Sequence, residues 1–250
     1  YTQNQLIVNQ LLGSHKINDQ IEFNWGTSFN KIESQMPDRT QNTLWFNDNI
    51  DGYNFAVNTT TDNHRYYQSL TEDEFAVNVS GDYKFMKDEN EAFKGKLTIG
   101  YNGRFKKRDF EATQFNFKIA NEQSNTLVNP YNLDTFFNTQ NFNNGFFTIE
   151  TFSGNNIRPQ TYNGEQNIHA AFGLLEYKFS PKFTSVIGLR AEQIFQDVAW
   201  KTQIDNSGRN ESFERNELLP SLLLKYEVNE KHNLRLAASK TYTLPQFKER

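Results

Sequence analysis

The strongest signal along the chain is an alternation of apolar and polar residues with a period of two. Ile21, Phe23, Trp25, Thr27 and Phe29 alternate with Glu22, Asn24, Gly26, Ser28 and Asn30. Phe75, Val77, Val79, Gly81, Tyr83 and Phe85 alternate with Glu74, Ala76, Asn78, Ser80, Asp82 and Lys84. Leu97, Ile99, Tyr101, Gly103 and Phe105 alternate with Lys96, Thr98, Gly100, Asn102, Arg104 and Lys106. Successive side chains of a strand point to opposite faces, so each run predicts a strand with one apolar and one polar face. The three- and four-residue spacing of an amphipathic helix is missing from these runs.

The pattern returns less cleanly further on. Ala171, Gly173, Leu175, Tyr177 and Phe179 form one face. Ser185, Ile187, Leu189, Ala191 and Phe195 form another, opposite Arg190 and Glu192. Leu222, Leu224, Tyr226 and Val228 oppose Lys225 and Glu227, and Leu234, Leu236 and Ala238 oppose Arg235 and Ser239. A weaker first strand lies near residues 5–12. The whole predicts about eight strands. Several runs last about 10–12 residues, the length of a membrane-crossing strand rather than of the modal soluble strand of about 5–6.

The connections alternate as well. Short polar turns are predicted at 15–19, 87–92, 180–182 and 229–233. Long loops are predicted at about 33–69 and 120–165, with a shorter one at 205–211. Short turns at one end and long loops at the other are the asymmetry of an outer-membrane barrel, whose periplasmic turns are short and extracellular loops long. Tyr83, Phe85, Tyr177, Phe179 and Tyr226 cluster beside the short turns, as a periplasmic aromatic girdle would. The expectation is an all-β fold: an antiparallel transmembrane barrel fragment, with residues 1–250 as part of one barrel domain. On this topology both chain ends fall on the extracellular side, and no closing aromatic strand is seen at Lys248-Glu249-Arg250. The eight strands therefore read as an arc of a larger barrel, with its remaining strands and any plug domain outside these residues.

Composition agrees with a barrel wall. Mean hydropathy is -0.79, yet aromatics reach 15%, with 23 Phe and 11 Tyr. A disordered chain is poor in aromatics, whereas a wall needs one apolar and one polar residue per two positions. There is no cysteine, which excludes disulfides, thiolate metal sites and Cys nucleophiles. The net charge of -4 and the lack of a long basic run argue against nucleic acid as a partner. No apolar run approaches the roughly 20 residues of a transmembrane helix.

A family resemblance enters at the C-terminal third. Gly188-Leu189-Arg190-Ala191-Glu192, Leu218-Leu219-Pro220-Ser221-Leu222 through Tyr226, and Asn229-Glu230-Lys231-His232-Asn233-Leu234-Arg235-Leu236 resemble barrel strands of TonB-dependent receptors, in the variant of Bacteroidetes-type Gram-negative bacteria. So does Ser239-Lys240-Thr241-Tyr242-Thr243-Leu244-Pro245-Gln246-Phe247, with Leu244 where the family often has Arg. Met36-Pro37-Asp38-Arg39-Thr40 is similar to a less specific family segment. The resemblance implies a barrel of about 22 strands in the outer membrane, spanning it many times and plugged by its own N-terminal domain. It implies contact with outer-membrane lipid and lipopolysaccharide, engagement of the TonB complex, active nutrient uptake, and in many cases a SusD-like surface lipoprotein lidding the barrel. It implies no enzyme activity and no cofactor.

Candidate chemistry is sparse. His15, His64, His169 and His232 share no ligand spacing, and no carboxylate pair is framed as acid and base. Asn47-Asp48-Asn49-Ile50-Asp51-Gly52 partly resembles a calcium loop but has Asn58 where Glu is needed, and reads as a polar turn. The aromatic loops are better candidates for substrate contact. Trp45, Phe46, Tyr53, Tyr66 and Tyr67 lie in the first long loop, and Tyr131, Phe136, Phe137, Phe142, Phe146 and Phe147 in the second. Exposed aromatics among Asn side chains suit glycan or peptide capture; the blander alternative is that they pack the loops together. The alternation also places Asn24, Asn78, Asn102, Arg104, Arg190 and Glu192 towards a lumen, with Glu22, Lys96, Lys225, Glu227 and Arg235. Two other functions stay open from sequence: another outer-membrane barrel, such as a passive porin or a secretion-complex component, and a soluble extracellular β-protein that binds glycans.

Overall fold

The computed structural model describes all residues except 50, 60, 90, 152–157 and 248–250. The sequence expectation about Lys248-Glu249-Arg250 lies outside the described residues. In chain order the strands are β1 (Gln3–Lys16), β2 (Ile21–Asn42), β3 (Leu44–Asn47), β4 (Gly52–Phe55), β5 (Asn63–Lys87), β6 (Phe93–Ile119), β7 (Phe147–Glu150), β8 (Gln160–Ser180), β9 (Phe183–Lys201), β10 (Arg209–Asn229) and β11 (His232–Ser239). One antiparallel sheet carries the order β1-β2-β5-β6-β8-β9-β10-β11, with β7 added beside the end of β6. The hairpin β3–β4 forms a separate small sheet. The expected eight-stranded path is present, in chain order, and the sheet is not closed into a barrel.

Each short turn is built on one polar side chain that stands in for a backbone acceptor. Asn18 Oδ1 accepts from the backbone N–H groups of Gln20 and Ile21, both at 2.8 Å. Asp88 Oδ1 accepts from Ala92 at 2.9 Å, Ser180 Oγ from Phe183 at 3.1 Å, and Asn229 Oδ1 from Lys231 at 3.0 Å. These turns set the hairpin registers, and the registers carry the apolar pattern across the sheet. Trp25 lies opposite Val79, Val79 opposite Tyr101, Tyr101 opposite Ala171, and Ala171 opposite Ala191. One position along, Gly26, Asn78, Asn102, Ala170 and Glu192 form the neighbouring row on the other face.

The two faces differ in curvature and chemistry. Residues from β1 to β9 on the Asn78–Glu192 face line a common cavity of about 480 Å³, so that face is concave. The convex face presents Phe23, Val77, Val79, Ile99, Ile187 and Leu189. Ile99 is 60% exposed and Ile187 53%, an apolar belt that the described residues leave uncovered. Rings border the belt at both ends. Near the short turns Phe85 stacks on Tyr83 and Tyr177, and Tyr177 meets Phe179 edge-on. Towards the long loops Phe75 stacks on Phe105, which meets His169 edge-on. Ten residues separate Phe75 from Phe85 in β5, about 34 Å along a strand. At a tilt of about 40° that leaves a band of roughly 25 Å, the height of a membrane barrel's apolar belt.

The strands run well past this belt, which corrects the loop bounds expected from sequence. β2 and β5 stay paired up to Asn42 and Asn63, so the first loop contracts from 33–69 to 43–62. Beyond Phe29, Phe75 and Phe105 the convex face carries Lys31, Glu33, Asp73, Lys107 and Asp109. The convex face there is polar, and the concave one mixes Ile32, Leu70 and Phe110 with Glu72 and Arg108, so the apolar-out alternation vanishes although the ladder of backbone hydrogen bonds continues. The Met36-Pro37-Asp38-Arg39 segment is a bulge in this extension, with the register slipping between Met36 and Arg39. Pro37, which cannot donate to a ladder, sits inside it.

A small hydrophobic core lies above the sheet rather than within it. Phe55 from β4, Ile119 from the end of β6, Val128, Phe136 and Phe147 are buried together. Phe55 packs at 4.9 Å between ring centroids on both Phe136 and Phe137. This core ties the β3–β4 hairpin to the second long loop.

Candidate functional site

The concave wall carries an interlocked row of charges. Glu72 and Glu74 on β5 face Arg108 and Lys106 on β6 in register, with Arg104 one step below. Arg104 pairs with Glu74 at 2.7 Å, and Lys106 bridges Glu72 at 2.9 Å and Glu74 at 3.3 Å. Arg108 pairs with Glu72. Glu72 is only 3% exposed; a carboxylate so buried is tolerable because two cations meet it. Three cations share two carboxylates, which leaves one surplus positive charge in this cluster.

A second network lies lower on the same wall. Arg190 pairs with Glu192 and also donates to Asn102 Oδ1. Arg215 pairs with Glu217, whose second oxygen accepts from Lys240 Nζ at 2.8 Å. The Tyr242 hydroxyl donates to Glu192. These contacts hold residues 240–247 against the concave face as a strap. Pro220 explains why the strap leaves the sheet. Its carbonyl accepts from Lys240 N at 3.1 Å, so its N side also faces β11, and a proline has no N–H there to continue the ladder. The strap ends at Phe247, which packs beside Gly164 and lies 5.5 Å from the Arg108 guanidinium.

Beneath the strap is a chamber of about 590 Å³. Its wall includes Arg104, Lys106, Arg108, Gln166 and Gln196, and segment 242–247 roofs it. Gln196 is 1% exposed, and neither its amide nitrogen nor its amide oxygen has a hydrogen-bond partner among the described residues. Such an unsatisfied group costs about 1–3 kcal/mol.

All six residues expected in the lumen, Asn24, Asn78, Asn102, Arg104, Arg190 and Glu192, stand on the concave face by register. Arg190, Asn102 and Glu192 touch; Asn78 lies opposite Asn102 in the same row, and Asn24 is one row away on that face. The loop aromatics scatter. Phe46 and Tyr53 pair across the β3–β4 hairpin, edge-on at 5.2 Å, while Trp45 pairs with Asn54 on the hairpin's other face. Tyr131 is 97% exposed. Tyr66 and Tyr67, expected in the loop, belong to β5. Arg39 covers the Tyr66 ring at 4.6 Å, and Tyr67 meets Phe115 edge-on. Phe136, Phe137, Phe146 and Phe147 serve the loop core. In the shorter loop, hydrogen bonds from Ser207, and then the Arg209 guanidinium, hold the Asp205 carboxyl below the usual carboxylate range.

Sequence reading missed Glu72, Arg108, Gln196, Glu217, Lys240 and Phe247 as members of one wall. A usable signal was present for some. Arg104, Lys106 and Arg108 recur at every second position, as do Glu72 and Glu74, which puts each set on one face of its strand.

Comparison with known proteins agrees with this architecture. The ferric yersiniabactin uptake receptor FyuA from Yersinia pestis is similar to the chain, with TM-score 0.57 at 9% identity over 92% of this chain and 27% of the receptor. The ferric-catecholate import receptor Fiu from E. coli K12 gives 0.52 at 10% identity, over 95% of this chain and 35% of the receptor. The siderophore receptor PiuA from Acinetobacter baumannii gives 0.51 at 12% identity, over 92% and 30%. At such identities the likeness shows the fold alone, and the chain spans roughly a third or less of each receptor's length. No curated protein matches the sequence. The family described as TonB dependent receptor-like, beta-barrel matches residues 9–250, and the chain belongs to that family.

Proposed function

We propose that this chain forms part of the barrel wall of a TonB-dependent outer-membrane transporter that takes up a scarce or bulky nutrient with energy from the inner membrane. The observation that carries the reading is the division of the sheet: an apolar, ring-bordered convex belt backed by a concave wall of buried, mutually paired charges. Lipid faces the belt, and the charged wall faces the plug domain and the passing solute. Lipopolysaccharide meets the charged convex rim above the belt, at Lys31, Lys107 and their neighbours. The exposed rings of Trp45, Phe46, Tyr53 and Tyr131 at the far end give a solute, or a SusD-like surface lipoprotein of the Bacteroidetes kind, its first contact.

The test is energised uptake by the full-length receptor in its own outer membrane. Collapse of the inner-membrane proton gradient should abolish uptake of the cognate nutrient while leaving its surface binding intact. Uptake that continues unchanged without the gradient would mean a passive pore and would overturn the reading.

A further inference from the structure

We propose that the chamber beneath the strap is a subsite for a hydroxylated carboxylate, such as a sugar acid. The inference extends the transport reading and rests on it. It starts from Gln196, a buried residue in the wall of this partly open cleft, whose amide donor and acceptor both lack a partner among the described residues. An anion alone would satisfy only the donor. A ligand carrying both a carboxylate and hydroxyl groups satisfies both ends, because a hydroxyl can donate to the amide oxygen.

The surroundings supply the charge. Lys106, Gln166 and Gln196 are successive partners across β6, β8 and β9, on one row of the concave face. Neighbouring strands are about 4.8 Å apart, so this row spans about 10 Å, the size of one sugar ring with its substituents. Arg104 and Arg108 flank Lys106 on the same face of β6. Glu72 and Glu74 are shared by these three cations, so the cluster's surplus positive charge suits a further oxyanion. The strap closes the roof with Phe247 and Tyr242, flat faces of the kind that cover a sugar ring.

The experiment is calorimetric titration of the purified full-length receptor in detergent with D-glucuronate, beside D-glucose and acetate. Glucuronate should bind at least tenfold more tightly than glucose, which lacks the carboxylate, and than acetate, which lacks the hydroxyls. Its affinity should fall as salt is raised from 50 to 500 mM. Gln196→Leu keeps the volume and removes both amide ends, so it should weaken glucuronate binding about tenfold without lowering thermal stability. Arg108→Gln should weaken it by a similar factor. Equal affinity for glucuronate and glucose, or unchanged binding in a stable Gln196→Leu receptor, would overturn the subsite. Energised uptake of the cognate nutrient separates the two readings. Uptake without glucuronate binding leaves the transporter standing and removes the subsite. Glucuronate binding in a receptor whose uptake ignores the proton gradient removes the transporter reading instead.

Discussion

Phe247 occupies the space that a side chain on Gly164 would need: a Cβ built there would fall 2.7 Å from the ring's Cδ1. Gly164 lies mid-strand in β8, where a glycine packs nothing and weakens the strand, so its role is the close approach it permits. Gly164→Leu should push the ring and the strap off the wall. Overpacking of this kind costs about 1–3 kcal/mol. The expected readout is a lower unfolding temperature of the full-length receptor in detergent, with amide hydrogen exchange accelerated across 240–247. Exchange unchanged in the variant would show that the strap does not depend on this contact.

Glu72 should behave as a buried, doubly paired carboxylate. Glu72→Gln leaves Arg108, whose side chain is a quarter exposed, without its anion; loss of one partner of a fully buried pair costs about 3–5 kcal/mol, which bounds the effect from above. Lys106 keeps Glu74, which lowers the expected loss towards the bottom of that range. Replacing both partners, as Glu72→Leu with Arg108→Met, should recover most of it. Chemical unfolding of the three variants in detergent micelles measures this. A double variant no more stable than Glu72→Gln would count against the buried-pair account.

Facing can be tested residue by residue because the chain has no cysteine. Single cysteines at Val77, Val79, Ile99 and Leu189 should be shielded from a charged, water-soluble thiol reagent in intact outer membranes. Asn78, Asn102 and Glu192 replaced by Cys should react only when the lumen is open to solvent. Ile99→Arg should destabilise the membrane-inserted barrel by about 2–4 kcal/mol, the cost of Arg near the midplane on a lipid face. Thr98→Arg, one residue away beside Asp82, should change stability by about 0.5 kcal/mol or less. Equal effects of the two arginines on folding into lipid vesicles would refute the assignment.

The loop rings divide into two groups with different expected phenotypes. Phe136→Ala removes a 4%-exposed ring from the loop core and should cost about 3–5 kcal/mol in the local stability of that cap. Trp45→Ala combined with Tyr53→Ala removes exposed rings. The backbone bond from Val128 to the Tyr53 carbonyl survives that change, so the cap should stay folded. Uptake by the full-length receptor should fall several-fold in the Trp45/Tyr53 variant at normal surface expression. Unchanged uptake would assign these rings to packing or to partner contact.

How much was legible in the sequence depended on whether one face is uniformly apolar. Between Phe75 and Phe85 it is, so the alternation marks the strand, its faces and its turn without ambiguity. Above Phe75 the convex face is polar as well, and β5 reads as loop although it is continuous down from Asn63. Tyr66 and Tyr67 were placed in a loop for that reason. Arg190, Asn102 and Glu192 were legible as one wall because they sit within the belt. Gln196 was not, because its burial comes from a strap more than forty residues along the chain, and the strap's departure at Pro220 depends on which neighbour that proline's N side faces. Period-two patterning reports the faces of a strand; it carries no information about what later folds across them.

The extension of β5 and β6 past the belt has a consequence for reach. Twelve residues separate Phe75 from Asn63, about 40 Å along the strand. At a barrel's tilt this raises the rim roughly 30 Å above the upper ring of aromatics, a height comparable to the thickness of the hydrocarbon layer itself. On the proposed transporter reading, the wall is a palisade: a solute drifting sideways along the membrane surface would meet a polar fence, and the way in would lie over the top, past the capped hairpin.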